Sequence, residues 1–115
     1  MAAHIQNYVF DDARFGNTYD GVIFNLNDDP ANVLIGSRIY MQLRKKPGQA
    51  IAAEFSTENG KIEINGAFSF SFKSQVIEVI PDTYDYDILI VFADGRRETY
   101  IGGHWTIHPV ITHKK

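Results

Sequence analysis

His104 and His108 stand four residues apart, on either side of the chain's only tryptophan, Trp105. On a helix that spacing puts two imidazoles on one face, as in zinc proteases. Pro109 argues against a helix interior here. On a strand the two still share a face, but at about 3.3 Å per residue they lie roughly 13 Å apart and cannot chelate one ion. Exposed or hydrogen-bonded strand histidines are expected, and no metal. Acidic residues gather at Asp11-Asp12, at Asp28-Asp29 and from Asp82 to Asp87. Calcium favours such loops, yet the ligand spacing and glycine of a calcium-binding hand are missing, so turn chemistry and strand-edge charge are expected. Asp85 and Asp87 share a strand face, as paired carboxylates would. A cross-strand partner such as Arg96 or Arg97 suits them better than acid–base catalysis. There is no nucleophile elbow, phosphate loop or dinucleotide fingerprint. No catalytic residue and no cofactor are expected.

The elements that would position these residues are strands. The chain has 115 residues, enough for one domain with a modest core. Hydrophobic residues make up 44% and aromatic residues 13%, a globular composition. The net charge of -3 gives no electrostatic case for nucleic acid or an anionic membrane as partner. The absence of cysteine excludes disulfides, thiolate ligands and a thiol nucleophile, and leaves the redox compartment open. No signal peptide or spanning segment is visible, so synthesis in the cytoplasm is expected.

The dominant period is two. Phe68, Phe70 and Phe72 alternate with Ser69, Ser71 and Lys73, and Ile39, Met41 and Leu43 alternate with Tyr40, Gln42 and Arg44. Such alternation marks half-buried strands. The phenylalanine row is expected in the core, although it is also what a stacking platform would need. Asp28-Asp29-Pro30, Lys46-Pro47-Gly48, Asn59-Gly60, Asn65-Gly66, Pro81-Asp82 and Asp94-Gly95 punctuate the runs. Strands are expected near 4–10, 18–26, 37–45, 50–56, 61–64, 67–73, 76–80, 84–93, 96–102 and 104–112. They form an all-β, antiparallel, immunoglobulin-like β-sandwich, with 84–93 and 96–102 as a hairpin closed at Asp94-Gly95.

From Ile88 to Phe92 every residue is apolar, so this strand is expected in the middle of a sheet with both faces covered. Tyr84 or Tyr86 has the placing of a tyrosine corner, in which a hydroxyl bonds back to an upstream backbone group. Gly102-Gly103 is too little for a phosphate cradle and is expected to form a bulge or bend.

The order of elements from Phe15 onward also resembles a known type. Phe15-Gly16-Asn17-Thr18 leads to Phe24-Asn25-Leu26, then to the run Leu34 to Arg44, then to Asn59-Gly60-Lys61-Ile62. Tyr84-Asp85-Tyr86-Asp87-Ile88 and Asp94-Gly95-Arg96 follow. The close is Gly102-Gly103-His104-Trp105-Thr106-Ile107 with Pro109-Val110-Ile111-Thr112. This looks like the small β-sandwich proteins and domains encoded among tailed-phage structural genes. The likeness covers most of the chain and rests on structural motifs. It implies a virion protein of the baseplate, tail, fibre-attachment or head-decoration kind, made in the host bacterial cytoplasm, with no catalytic set to carry over. The chain departs from the type by ending just after Thr112, which implies that no fibre or receptor-binding region follows. It also opens with an extra segment, so residues 1–12 are expected as an arm or extra strand and 13–115 as a single sandwich domain.

Function is then expected to lie in surfaces: a structural or assembly protein that contacts other virion proteins, as a homo-oligomer or a subunit of a larger assembly. The arm, with apolar Ile5, Val9 and Phe10, and Trp105 on the last strand are the candidate contacts. The arm is about as well suited to pairing within its own domain, and Trp105 to plugging the core. A carbohydrate-binding module using Trp105, Tyr40 or Tyr100 is the alternative, and a small β-fold enzyme the third. An exposed aromatic row with flanking carboxylates favours the first of these, and a deep pocket with converging titratable groups the second.

Overall fold

The computed structural model describes residues 2–4, 10–26, 33–46 and 50–110; of 2–4, 101 and 102 it describes the backbone. Among these residues there is no helix. The strands are β1 (Ala2–His4), β2 (Ala13–Arg14), β3 (Thr18–Tyr19), β4 (Val22–Asn25), β5 (Arg38–Arg44), β6 (Ala53–Ser56), β7 (Ile62–Gly66), β8 (Ser69–Phe72), β9 (Gln75–Val76), β10 (Asp82–Val91) and β11 (Arg97–His108). A five-stranded sheet has the order β2-β11-β10-β5-β6, a four-stranded sheet the order β1-β4-β8-β7, and β3 and β9 make a two-stranded ribbon.

The hairpin of β10 and β11 closes where the Asp-Gly pair sits. The Gly95 amide donates to the Phe92 carbonyl at 2.9 Å, and the Arg96 amide to Asp94 Oδ1 at 2.9 Å. Gly95 has φ +91°, which only glycine adopts without strain. The two strands expected over 96–102 and 104–112 are one strand. Tyr86 pairs with Gly103 but Asp87 pairs with Ile101, so the register slips at Gly102 and the pairing then resumes. Gly103, at φ +128°, absorbs the distortion. A bulge bends a strand without ending it.

Pairing is antiparallel except at two edges. β1 runs parallel to β4, and β2 parallel to β11. The expectation of wholly antiparallel pairing is corrected here. A tight hairpin forces antiparallel pairing, and no such turn joins either pair, so their direction is free. The expected strand over 18–26 also divides, at Asp20-Gly21. A side chain on Gly21 would put its Cβ 2.9 Å from the Phe72 carbonyl oxygen, so two backbones cross closely there. Phe68 falls in the turn between β7 and β8 and not in the strand.

One core joins the sheets. Phe24, Phe70 and Phe72 come from the four-stranded sheet, and Ile39, Met41, Leu43, Ile88, Ile90 and Trp105 from the five-stranded sheet. Phe24 stacks on Phe70 at 5.2 Å, and Phe72 meets Phe55 at 4.9 Å and Trp105 at 5.8 Å. Buried and unburied residues alternate along β5 as the sequence pattern requires.

At the start of β10 the Tyr84 hydroxyl donates to the Ile80 carbonyl at 2.5 Å. Burial raises the hydroxyl's pKa above the ordinary tyrosine value, and the nearby Asp82 charge adds to this, so the donor proton is retained. This is the tyrosine corner, made by Tyr84. Removing the hydroxyl in Tyr84→Phe is expected to cost about 1 kcal/mol, the worth of one such bond. Urea unfolding of the variant checks this; an unchanged midpoint would mean that the bond adds nothing to the corner.

Candidate functional site

β10 is the middle strand of the five, as its apolar run implies. Its inward side is core: Ile88 and Ile90 are buried. The outward side is only partly closed. Val91, between Arg38 and Arg97 in the register, keeps 5% of its surface. Leu89, between Tyr40 and Thr99, is half-buried in a shallow groove of about 410 Å³. The expectation that both faces of this strand are covered therefore holds at Val91 and is met only in part at Leu89, among the described residues.

The register lays the groove out in rows across the strands. The first row is Arg97, Val91 and Arg38; the second is Thr99, Leu89, Tyr40 and Ser56; the third holds Asp87, Gln42 and Glu54. Positive charge thus sits at one end, negative charge at the other, and an apolar and aromatic centre lies between. Gln42 Nε2 donates to Glu54 Oε2 at 2.8 Å, and Tyr40 donates to Glu58 Oε1 at 2.5 Å. The Glu58 hydrogen bond is the chief cause of a raised Tyr40 pKa. Arg38, Arg97 and Asp87 have no ion-pair partner among the described residues. Nearby, Arg96 meets Glu98 at 3.3 Å and lies over the Phe92 ring at 4.2 Å.

A second hollow of about 420 Å³ lies at the bulge and includes Arg44, Asp85, Gly103 and His104. His104 Nδ1 lies 2.6 Å from Asp85 Oδ1, and His108 Nε2 lies 2.8 Å from Asp12 Oδ2. The expected partners Arg96 and Arg97 are thus replaced at Asp85 by His104, because the bulge sets His104 directly opposite it. Asp82 is held below the usual carboxylate range by the Thr83 amide first, and then by Lys45 at 3.2 Å. No group of three or more histidine and carboxylate side chains able to hold a metal is found among the described residues.

The candidate contact residues need correction. Trp105 is 0% exposed, and its Nε1 donates to the Asp11 carbonyl at 2.8 Å. Phe10 is equally enclosed, with its ring 4.9 Å from that of Trp105 and 5.2 Å from that of Tyr86. Both are core and offer no surface to a partner, because each ring is surrounded by others. Ile5 and Val9 lie outside the described residues. Ala2–His4 pairs with β4 of its own domain, so the arm docks in cis there. The groove residues went unnoticed as a site in the sequence. Their one signal was Leu89, whose apolar side chain on the outward face asks for a cover.

No family model, curated protein or solved structure matches this chain. The chain is defined by its own architecture: an all-β protein whose larger sheet carries a charged groove with an apolar centre.

Proposed function

We propose that the protein is an immunoglobulin-like β-sandwich that acts through protein–protein contacts, as a non-enzymatic structural or assembly subunit of a tailed-phage virion. The strand order supports the sandwich. Immunoglobulin-type sheets join strands A-B-E-D and C-F-G, with an added C′ strand in some. Here β1-β4-β8-β7 follows the first order, and β11-β10-β5-β6 follows G-F-C-C′. The Tyr84 bond at the start of β10 is where that fold carries its tyrosine corner.

The observation that carries the contact reading is the groove over Leu89. A half-buried leucine stands at its centre among Arg38, Arg97 and Asp87, which have no ion-pair partner among the described residues. A rim of charge around an apolar centre is the anatomy of a protein interface. The virion assignment rests on the order of motifs in the sequence. A carbohydrate-binding role has one feature in its favour, Tyr40 in a groove with Asp87 and Glu54, but it loses Trp105 as a platform.

Mass spectrometry of purified particles from the encoding phage tests the assignment. The protein is expected there in fixed proportion to the other structural proteins. Absence from the particles overturns the virion role, and saturable binding to a glycan array that Tyr40→Ala abolishes would establish the sugar reading instead.

A further inference from the structure

We infer that the cover of the Leu89 groove is a second copy of this chain, related by a two-fold axis that lies in the interface and runs across the strands through Leu89. The inference rests on the contact reading above and names its partner. Two sheet faces pack about 10 Å apart, and an isologous dimer requires the patch to complement itself. With the strands of the two copies aligned, as sheets commonly pack, two in-plane axes can pair this face with its copy. An axis along the strands keeps each row over its own row and sets Arg38 against the copy's Arg97, cation on cation. An axis across the strands exchanges the first row with the third. Arg38 and Arg97 then lie over the copy's acidic row, where Asp87 and Glu54 stand, and Leu89 meets Leu89 at the centre.

Charge selects the second arrangement, because like charges brought together repel and opposite ones guide the approach. It also gives partners to the three charges, Arg38, Arg97 and Asp87, that have none within the described chain. The same pairing covers the outward side of Leu89, which the apolar run of β10 asks for and the described residues leave half-open.

The test is a charge swap followed by sedimentation over a concentration series. The parent is expected to reach the mass of two chains. Arg38→Glu with Arg97→Glu makes one wholly acidic face, and Glu54→Lys with Asp87→Lys one wholly basic face. Each variant alone should associate at least about tenfold more weakly, and an equal mixture should recover the two-chain mass. A thiol readout serves if a swapped variant does not fold. The chain has no cysteine, so Leu89→Cys carries a single thiol. A short bismaleimide should link it to a second copy, while Ser71→Cys, on the outward side of β8, should stay unlinked. A parent that remains one chain at every concentration overturns the dimer. So do swapped variants that associate like the parent, or equal linking at the two cysteines. A one-chain mass in solution with the protein present in particles would remove this dimer and leave the assembly reading standing.

Discussion

Trp105→Ala is expected to lose about 3–5 kcal/mol of stability, the range for emptying a large aromatic site. The indole is enclosed by Phe10 at 4.9 Å, Tyr19 at 5.2 Å, Phe72 at 5.8 Å and Phe55 at 6.0 Å. These rings come from the N-terminal segment, from the small ribbon and from both larger sheets. Truncation leaves a void that none of them can fill without leaving another contact. It also removes one of two donors to the Asp11 carbonyl, which accepts from Trp105 Nε1–H at 2.8 Å and from the Tyr19 hydroxyl at 3.0 Å. Total stabilities of small domains are about 5–15 kcal/mol, so this one change removes a large share. Trp105→Phe separates the two parts: it keeps most of the apolar volume and loses the hydrogen bond, and should cost less. Denaturant unfolding with matched slopes measures both. A loss below about 1 kcal/mol for the alanine variant would mean that the indole is not the hub of this core.

Ile90→Ala is expected to cost about 2–5 kcal/mol. Ile90 is 0% exposed and lies on the inward side of the strand at the middle of the five-stranded sheet. Its neighbour Leu89 points to the groove. In dilute protein, where the chain is alone, Leu89→Ala should cost under about half as much as Ile90→Ala, since its side chain is only partly removed from water. The contrast between adjacent residues tests the register itself. A one-residue slip would exchange the two faces and reverse the order of the two losses. Equal losses would mean that Leu89 is as enclosed as Ile90 within a single chain.

What was legible in the sequence was local. Period-two alternation located β5, with Ile39, Met41 and Leu43 buried and Tyr40 and Gln42 between them. The Asp-Gly pair located the hairpin turn, and the two glycines located the bulge. The corner tyrosine was narrowed to two, of which Tyr84 makes the bond. Alternation, however, says which residues share a face and not which face is inside. That is why Trp105 read equally well as core or as contact. The two-residue strands β2, β3 and β9 are too short to carry a period. The site itself was hidden for a different reason. Arg38 and Arg97 flank Val91 only because β5 and β11 pair on either side of β10, and that adjacency depends on long-range register that no short stretch encodes.

The N-terminal segment touches elements from the far end of the chain. Ala13 and Arg14 pair with Ile107 and His108, the Asp11 carbonyl accepts a hydrogen bond from Trp105 Nε1–H, and Asp12 meets His108. The Asp11–Trp105 bond spans 94 positions, and the Asp12–His108 bond 96. Asp11, Asp12, Ala13 and Arg14 therefore cannot make these contacts until β11 has been synthesised. Such contacts carry the full entropy of closing the chain and place the fold among those of high contact order, which form slowly. During synthesis the pocket of Phe10, begun by Tyr19, Phe24 and Phe72, stays incomplete until Trp105 has emerged. The segment from Asp11 to Arg14 is fastened against β11, and that fastening can be made only once β11 is in place.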